Sequence, residues 1–148
     1  MKIEVRAVLP APVERAWQAL LRWEDQPRWM KDADSVRVLT SARQGVGVLI
    51  AVKTRVLNVP LFTERLEVVE WDPPRRLTMA HRSFVRGVGT WEFESGPAGT
   101  RFTWTEELSL PVPLLGELAL LVYRPFMRYL MREGLRGLRR YVASTGAG

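Results

Sequence analysis

The 148-residue chain has no cysteine, which excludes disulfides, thiolate metal centres and a cysteine nucleophile. Histidine occurs once, at His81, so no site can draw on several imidazoles. Any Ser–His–Asp triad would have to use that one residue, and no serine lies in a nucleophile-elbow setting. Metal binding would need carboxylates plus that single histidine, so no metal site is expected. Gly45-Val46-Gly47 lacks both the strand–helix context and the later glycine of a dinucleotide fingerprint, and no phosphate-binding glycine loop is present, so no cofactor is expected either. Lysine is scarce: only Lys2, Lys31 and Lys53 accompany nineteen arginines. Long apolar runs are missing too. The longest, Leu118 to Tyr123, falls far short of the roughly 20 residues that span a membrane. The N-terminus alternates polar and apolar residues, unlike a signal-peptide core, and a cytoplasmic location is the expectation.

What remains is globular composition, 47% hydrophobic and 26% charged, with a formal charge of +6. The length suits one domain, expected over residues 1–143, with a flexible tail over 144–148. A chain this long buries roughly 70% of its unfolded surface, enough for a core without covalent staples. No linker or internal repeat is visible.

Periodicity sets out the elements. Ile3, Val5, Ala7 and Leu9 share one face of a half-buried strand. Pro10-Ala11-Pro12 ends it, and Val13, Ala16, Trp17, Leu20 and Leu21 recur at helical spacing. A second short helix is expected from Trp23 to Met30, interrupted by Pro27. The period then becomes two, with strands expected at 35–40, 46–57, 61–71, 76–83, 87–94 and 100–110. Turn residues separate them, among them Asn58-Val59-Pro60 and Asp72-Pro73-Pro74. Connections this short favour an antiparallel meander. Residues 114–142 read as helix, with Pro125 expected to kink or split it after Arg124. Gly134 and Gly137 are poor helix formers, and a close approach to the sheet or a ligand would explain them.

The order β-α-α-β6-α is the helix-grip layout, an α+β fold in which a curved antiparallel sheet of about seven strands wraps a long C-terminal helix. Local residues agree. Pro12-Val13-Glu14-Arg15-Ala16-Trp17, Trp23-Glu24-Asp25-Gln26-Pro27-Arg28-Trp29, Glu70-Trp71-Asp72-Pro73-Pro74-Arg75-Arg76-Leu77 and Gly99-Thr100-Arg101-Phe102-Thr103-Trp104 resemble motifs of the START/Bet v 1-like (SRPBCC) superfamily. They are most similar to its bacterial polyketide cyclase/dehydrase and lipid-transport branch. The resemblance spans nearly the whole chain and implies a cavity between sheet and helix. It implies no particular reaction, because this fold hosts many functions.

On that fold the candidate lining from the sheet is Ile50, Val52, Phe62, Leu66, Met79, Trp91, Phe93, Phe102 and Trp104; the helix adds Met127, Leu130 and Met131. Each of these side chains can equally be ordinary core. Three polar residues, Glu64, His81 and Glu106, alternate onto the same inward faces. A buried carboxylate must be paired, hydrogen-bonded or protonated, and histidine is the usual proton shuttle near neutral pH. These three are therefore candidates both for orienting a ligand and for acid–base catalysis, and also for strand ends that face water. The expected function is binding or transport of a hydrophobic small molecule: a lipid, an isoprenoid or a polyketide-like compound. A cyclase, dehydratase or hydrolase acting on such a ligand is the alternative.

The charge is uneven. Arg124, Arg128, Arg132, Arg136 and Arg140 recur every four residues and form one slanting band, with Arg139 beside it. The band fits the solvated back of an amphipathic helix, or a peripheral contact with an anionic membrane. Nucleic acid is the weakest of its readings, because no recognition motif accompanies it.

Overall fold

The computed structural model describes residues 1–56 and 58–145. Strand β1 (Lys2–Leu9) is followed by helix α1 (Val13–Leu20) and a 3-10 helix (Trp23–Arg28). Six strands come next: β2 (Ala33–Val38), β3 (Leu49–Val56), β4 (Val59–Asp72), β5 (Arg76–Arg82), β6 (Arg86–Gly96) and β7 (Gly99–Ser109). Helix α2 (Leu115–Thr145) completes the fold. The sheet has seven strands in the order β1-β7-β6-β5-β4-β3-β2, every neighbouring pair antiparallel. The expected meander is present, and β1 pairs with the last strand, so the sheet curls while β1 and β2 remain its edges.

Several boundaries differ from expectation for local reasons. The strand expected from Val46 begins at Leu49, because Gly45 and Gly47 both take positive φ, 97° and 99°, and turn the chain first. Its expected end, Leu57, lies outside the described residues, as do residues 146–148 of the tail. Ser144 and Thr145, expected in the tail, belong to α2. Val59 and Pro60, expected in a turn, already belong to β4. Pro60 is tolerated there beside a register shift in which Thr54 pairs with Phe62 but Arg55 with Pro60.

Helix α2 passes Pro125 without splitting. A proline at this position removes the hydrogen bond to the carbonyl four residues back, that of Leu121. Both residues lie on the exposed side, Leu121 63% exposed, where water can solvate the freed carbonyl. The second half of α2 buries Met131, Leu135, Leu138, Tyr141 and Val142. Gly137 is the close approach: a Cβ there would sit 2.9 Å from the Trp29 carbonyl oxygen and 3.1 Å from its Cα. The neighbour is thus the end of the 3-10 helix and not the sheet. A Cβ on Gly134 would meet the Trp104 ring at an ordinary 3.5 Å.

The outward side of α2 is divided. Leu114 just before it, then Leu118, Leu121, Val122 and Tyr129, are exposed apolar residues along its first half. Arg132, Arg136, Arg139 and Arg140 are exposed along its second. Arg124 donates to the Lys2 carbonyl and Arg136 pairs with Glu133.

Candidate functional site

All six tryptophans belong to one aromatic network. Trp17 meets Trp71 and Phe93, Phe93 meets Phe102, and Phe102 meets Trp91. Trp91 meets Trp23 and Trp29, and Trp29 meets Trp104, with all centroids 5.1–6.4 Å apart. This network fills the concave face beneath α1 and the 3-10 helix. The open space is therefore displaced toward β3, β4, β5 and the middle of α2.

That space is a cavity of about 90 Å³. Val52, Leu66, Met79, Trp91, Trp104, Met127, Leu130 and Met131 line it, together with Glu64, His81 and Glu106. The polar groups reach one another through register. His81 on β5 lies opposite Gly87 on β6, and Glu106 on β7 lies opposite Gly89. Gly89 on the intervening strand thus leaves open the space that a side chain there would take from the Glu106 carboxylate. Across that gap His81 Nε2 and Glu106 Oε2 are 3.0 Å apart, and the other Glu106 oxygen accepts from Trp104 Nε1 at 2.9 Å. A Cβ on Gly89 would lie 2.7 and 2.9 Å from the two Glu106 oxygens. Glu64, on the β4 side, places Oε1 3.7 Å from His81 Nδ1, an ion-pair distance too long for a hydrogen bond. Among the described residues Nδ1 is consequently a buried polar atom without a hydrogen-bond partner.

Charge is concentrated here. Burial alone would pull the His81 pKa down, but bonding to Glu106 and the adjacent Glu64 outweigh it and raise it to about 10. Burial pushes Asp32 up to about 6; its own backbone amide opposes this, and the charges of Glu64 and Glu106 add to it. Burial also raises Tyr123, again with the charges of Asp32 and Glu64 contributing.

Tyr123 lines a second space. An open groove of about 670 Å³ runs between the first half of α2 and the end of β3, lined by Leu115, Leu118, Ala119, Val122, Tyr123 and Phe126 facing Val56. Cavity and groove share no lining residue but lie along neighbouring stretches of β3 and α2. Val52 and Thr54 line the inner space and Val56 the outer, while Met127, Leu130 and Met131 continue the helix wall begun by Tyr123 and Phe126.

Not all the residues expected to line the cavity meet there. Ile50, Phe93 and Phe102 are buried in the packed core, the last two inside the aromatic network. Phe62 follows Glu64 in face but is 42% exposed beyond the register shift. The structure adds Gln26, Met30, Asp32, Ala33, Thr54 and Gly89 to the lining. Asp32 had no periodic signal because it lies in the connection before β2. Gly89 carried one, a glycine inside a strand, which marks a close approach.

Gly89→Ala is expected to displace the Glu106 carboxylate while leaving the sheet intact, because the clash is with the far end of a flexible side chain. The loss in stability should be about 1–3 kcal/mol. The His81 pKa should fall from about 10 toward its ordinary 6.5. An NMR titration of the imidazole reads this directly, and an unchanged pKa would contradict the role given to Gly89.

Among the described residues no group of histidine and carboxylate side chains is arranged to hold a metal ion, and no helix is long and apolar enough to cross a membrane.

Residues 1–143 match the model of a family described as polyketide cyclase / dehydrase and lipid transport. Over 80 residues the chain is 34% identical to an uncharacterised protein of Mycobacterium tuberculosis, a match covering 51% of this chain and 47% of the relative. The matched stretch is thus about half the length of either protein. Among solved structures, TTHA0849 from Thermus thermophilus superposes with a TM-score of 0.80 at 24% identity, covering 98% of this chain and 99% of the other. The di-domain ARO/CYC protein StfQ, from the steffimycin biosynthetic pathway, gives 0.76 at 14% identity over 99% of this chain and 52% of its own. At these identities the two structures establish the shared fold.

Proposed function

This chain belongs to the polyketide cyclase / dehydrase and lipid transport family, and from that premise we propose that it binds a hydrophobic small molecule, a lipid, isoprenoid or polyketide-like compound. The apolar body lies in the groove beside α2 and a polar end reaches the cavity. The observation that carries this reading is the placement of an apolar groove and a small polar cavity along neighbouring stretches of β3 and α2. The cavity alone has room for about three waters, far below the 300–1,000 Å³ or so of a typical ligand pocket. The groove supplies the missing volume.

A catalytic reading has one observation in its favour, the His81–Glu106 hydrogen bond facing the cavity. Its weakness is the protonation of His81. An efficient acid–base group titrates near the working pH, and about 10 is well above neutrality. Binding is therefore preferred.

The test is a thermal-shift and native mass-spectrometry panel on delipidated protein, using dodecanol, farnesol and an anthraquinone. At least one probe should raise Tm by about 5 °C or more at roughly 100 times its Kd. Val122→Glu, which charges the groove at a side chain already 74% exposed, should abolish that shift without altering the unliganded Tm. Failure of every probe, or equal binding by the variant, would overturn the proposal.

A further inference from the structure

The inner cavity holds a donor and an acceptor that approach each other without bonding. His81 spends Nε2 on Glu106, 3.0 Å away, and the ring carries a proton on both nitrogens at neutral pH. Nδ1–H is therefore a donor. Among the described residues it has no hydrogen-bond partner, although its side chain is only 10% exposed. Glu64 Oε1 stands 3.7 Å off, beyond hydrogen-bond range. The rest of the polar lining is mixed. Gln26 and Thr54 carry groups that both donate and accept, and Asp32 adds a carboxylate. The two Glu106 oxygens are already taken by His81 and Trp104.

Resting on the reading of groove and cavity as one ligand site, we infer that the ligand's polar end is a hydroxyl, of an alcohol or a phenol, that accepts from His81 Nδ1–H and donates to Glu64. Two atoms 3.7 Å apart cannot bond to each other, but a single oxygen beside them lies within about 3 Å of both. That oxygen must accept on one side and donate on the other, and a hydroxyl does both. An ammonium has no lone pair for Nδ1–H and would meet the imidazolium charge. A ketone or ether oxygen accepts from Nδ1–H but turns a second lone pair toward the Glu64 carboxylate. A carboxylate or phosphate would add its charge to those of Asp32, Glu64 and Glu106 at low dielectric. A hydroxyl also fits, since the cavity holds about three waters and a hydroxyl takes about the space of one.

Decanol, methyl octyl ketone, decylamine and decanoate have the same number of carbons and differ in the head: donor and acceptor, acceptor only, donor only, anion. Titrated at neutral pH below their aggregation thresholds, decanol should bind about tenfold or more tighter than each of the others, the order of one charge-assisted hydrogen bond. Surface attraction predicts the opposite, because a net charge of +6 favours decanoate. Glu64→Gln puts an amide donor where the carboxylate stood, so decanol and the ketone should then bind within about threefold of each other. Decanol should also shift the His81 Nδ1–H signal in imidazole NMR and leave Nε2–H, which stays on Glu106, nearly unmoved. Equal affinities, tighter binding of any other probe, or a preference for decanol that survives Glu64→Gln would overturn the hydroxyl inference and leave the groove reading standing. So would decanol binding that leaves the Nδ1–H signal in place. Failure of all four probes would overturn the groove reading, and this inference with it.

Discussion

Glu106→Ala is expected to destabilise the protein by about 3–5 kcal/mol at neutral pH, the range for removing one partner of a buried ion pair. Both side chains are deeply buried, His81 10% and Glu106 11% exposed. Truncation strands two groups at once, the imidazole and the Trp104 indole N–H, each of which loses its carboxylate oxygen. Desolvation, the largest influence on His81, then acts against Glu64 alone, 3.7 Å away, so the imidazole should lose its proton much nearer its ordinary pKa. Glu106→Gln separates the contributions. It keeps an acceptor and the volume but removes the charge, so it should destabilise less while lowering the His81 pKa nearly as far. Urea unfolding of the two variants, paired with imidazole titration, checks both statements. A loss below about 1 kcal/mol for Glu106→Ala would mean that the pair is replaceable packing.

The second large effect is on the pH dependence of stability. His81 titrates near 6.5 when unfolded and near 10 when folded. The folded state therefore holds the proton more tightly. The stabilisation is complete below pH 6.5 and disappears as pH rises through about 10. Across that window the protein should lose on the order of 5 kcal/mol, following about 1.4 kcal/mol per pH unit of difference. Asp32 acts in the same direction at lower pH: its folded pKa of about 6 exceeds the unfolded 3.8, so its contribution falls between those values as pH rises. The protein should accordingly be more stable at pH 6 than at pH 9. His81→Gln should remove most of that slope. Chemical denaturation at half-unit pH steps measures it, and a wild-type curve parallel to that of His81→Gln would contradict the coupling.

Much of this architecture was legible in the residues because alternation is a local signal. Glu64, His81 and Glu106 each sit two residues from an apolar neighbour of the same strand, and that spacing placed all three on one face before any strand was paired. Their mutual distances were not legible. Those depend on which residues of β6 stand between β5 and β7, a fact of register and not of any one strand's pattern. The same limit explains Phe93 and Phe102. Alternation aimed them inward correctly, but only the tertiary arrangement of Trp17, Trp23 and Trp29 fills that half of the concave face. Pro125 misled for the opposite reason. The local rule against proline inside a helix is sound, but solvent exposure on that side of α2 weakens its consequence.

Helix α2 is geometrically one rod, yet its two halves are held very differently. From Met131 onward it is anchored by five large buried side chains and by the Tyr141 hydroxyl on Asp25. Before Pro125 only Gly116 and Leu120 are buried, and the proline removes one rung of the backbone ladder between the halves. Protein segments with few buried contacts open at a fraction of the global free energy. The first half of α2 is such a segment, and it is also the wall of the groove. The fold is therefore expected to fray first along the groove while the aromatic network and the distal helix stay native, the sub-global motion that a ligand of the proposed kind would need.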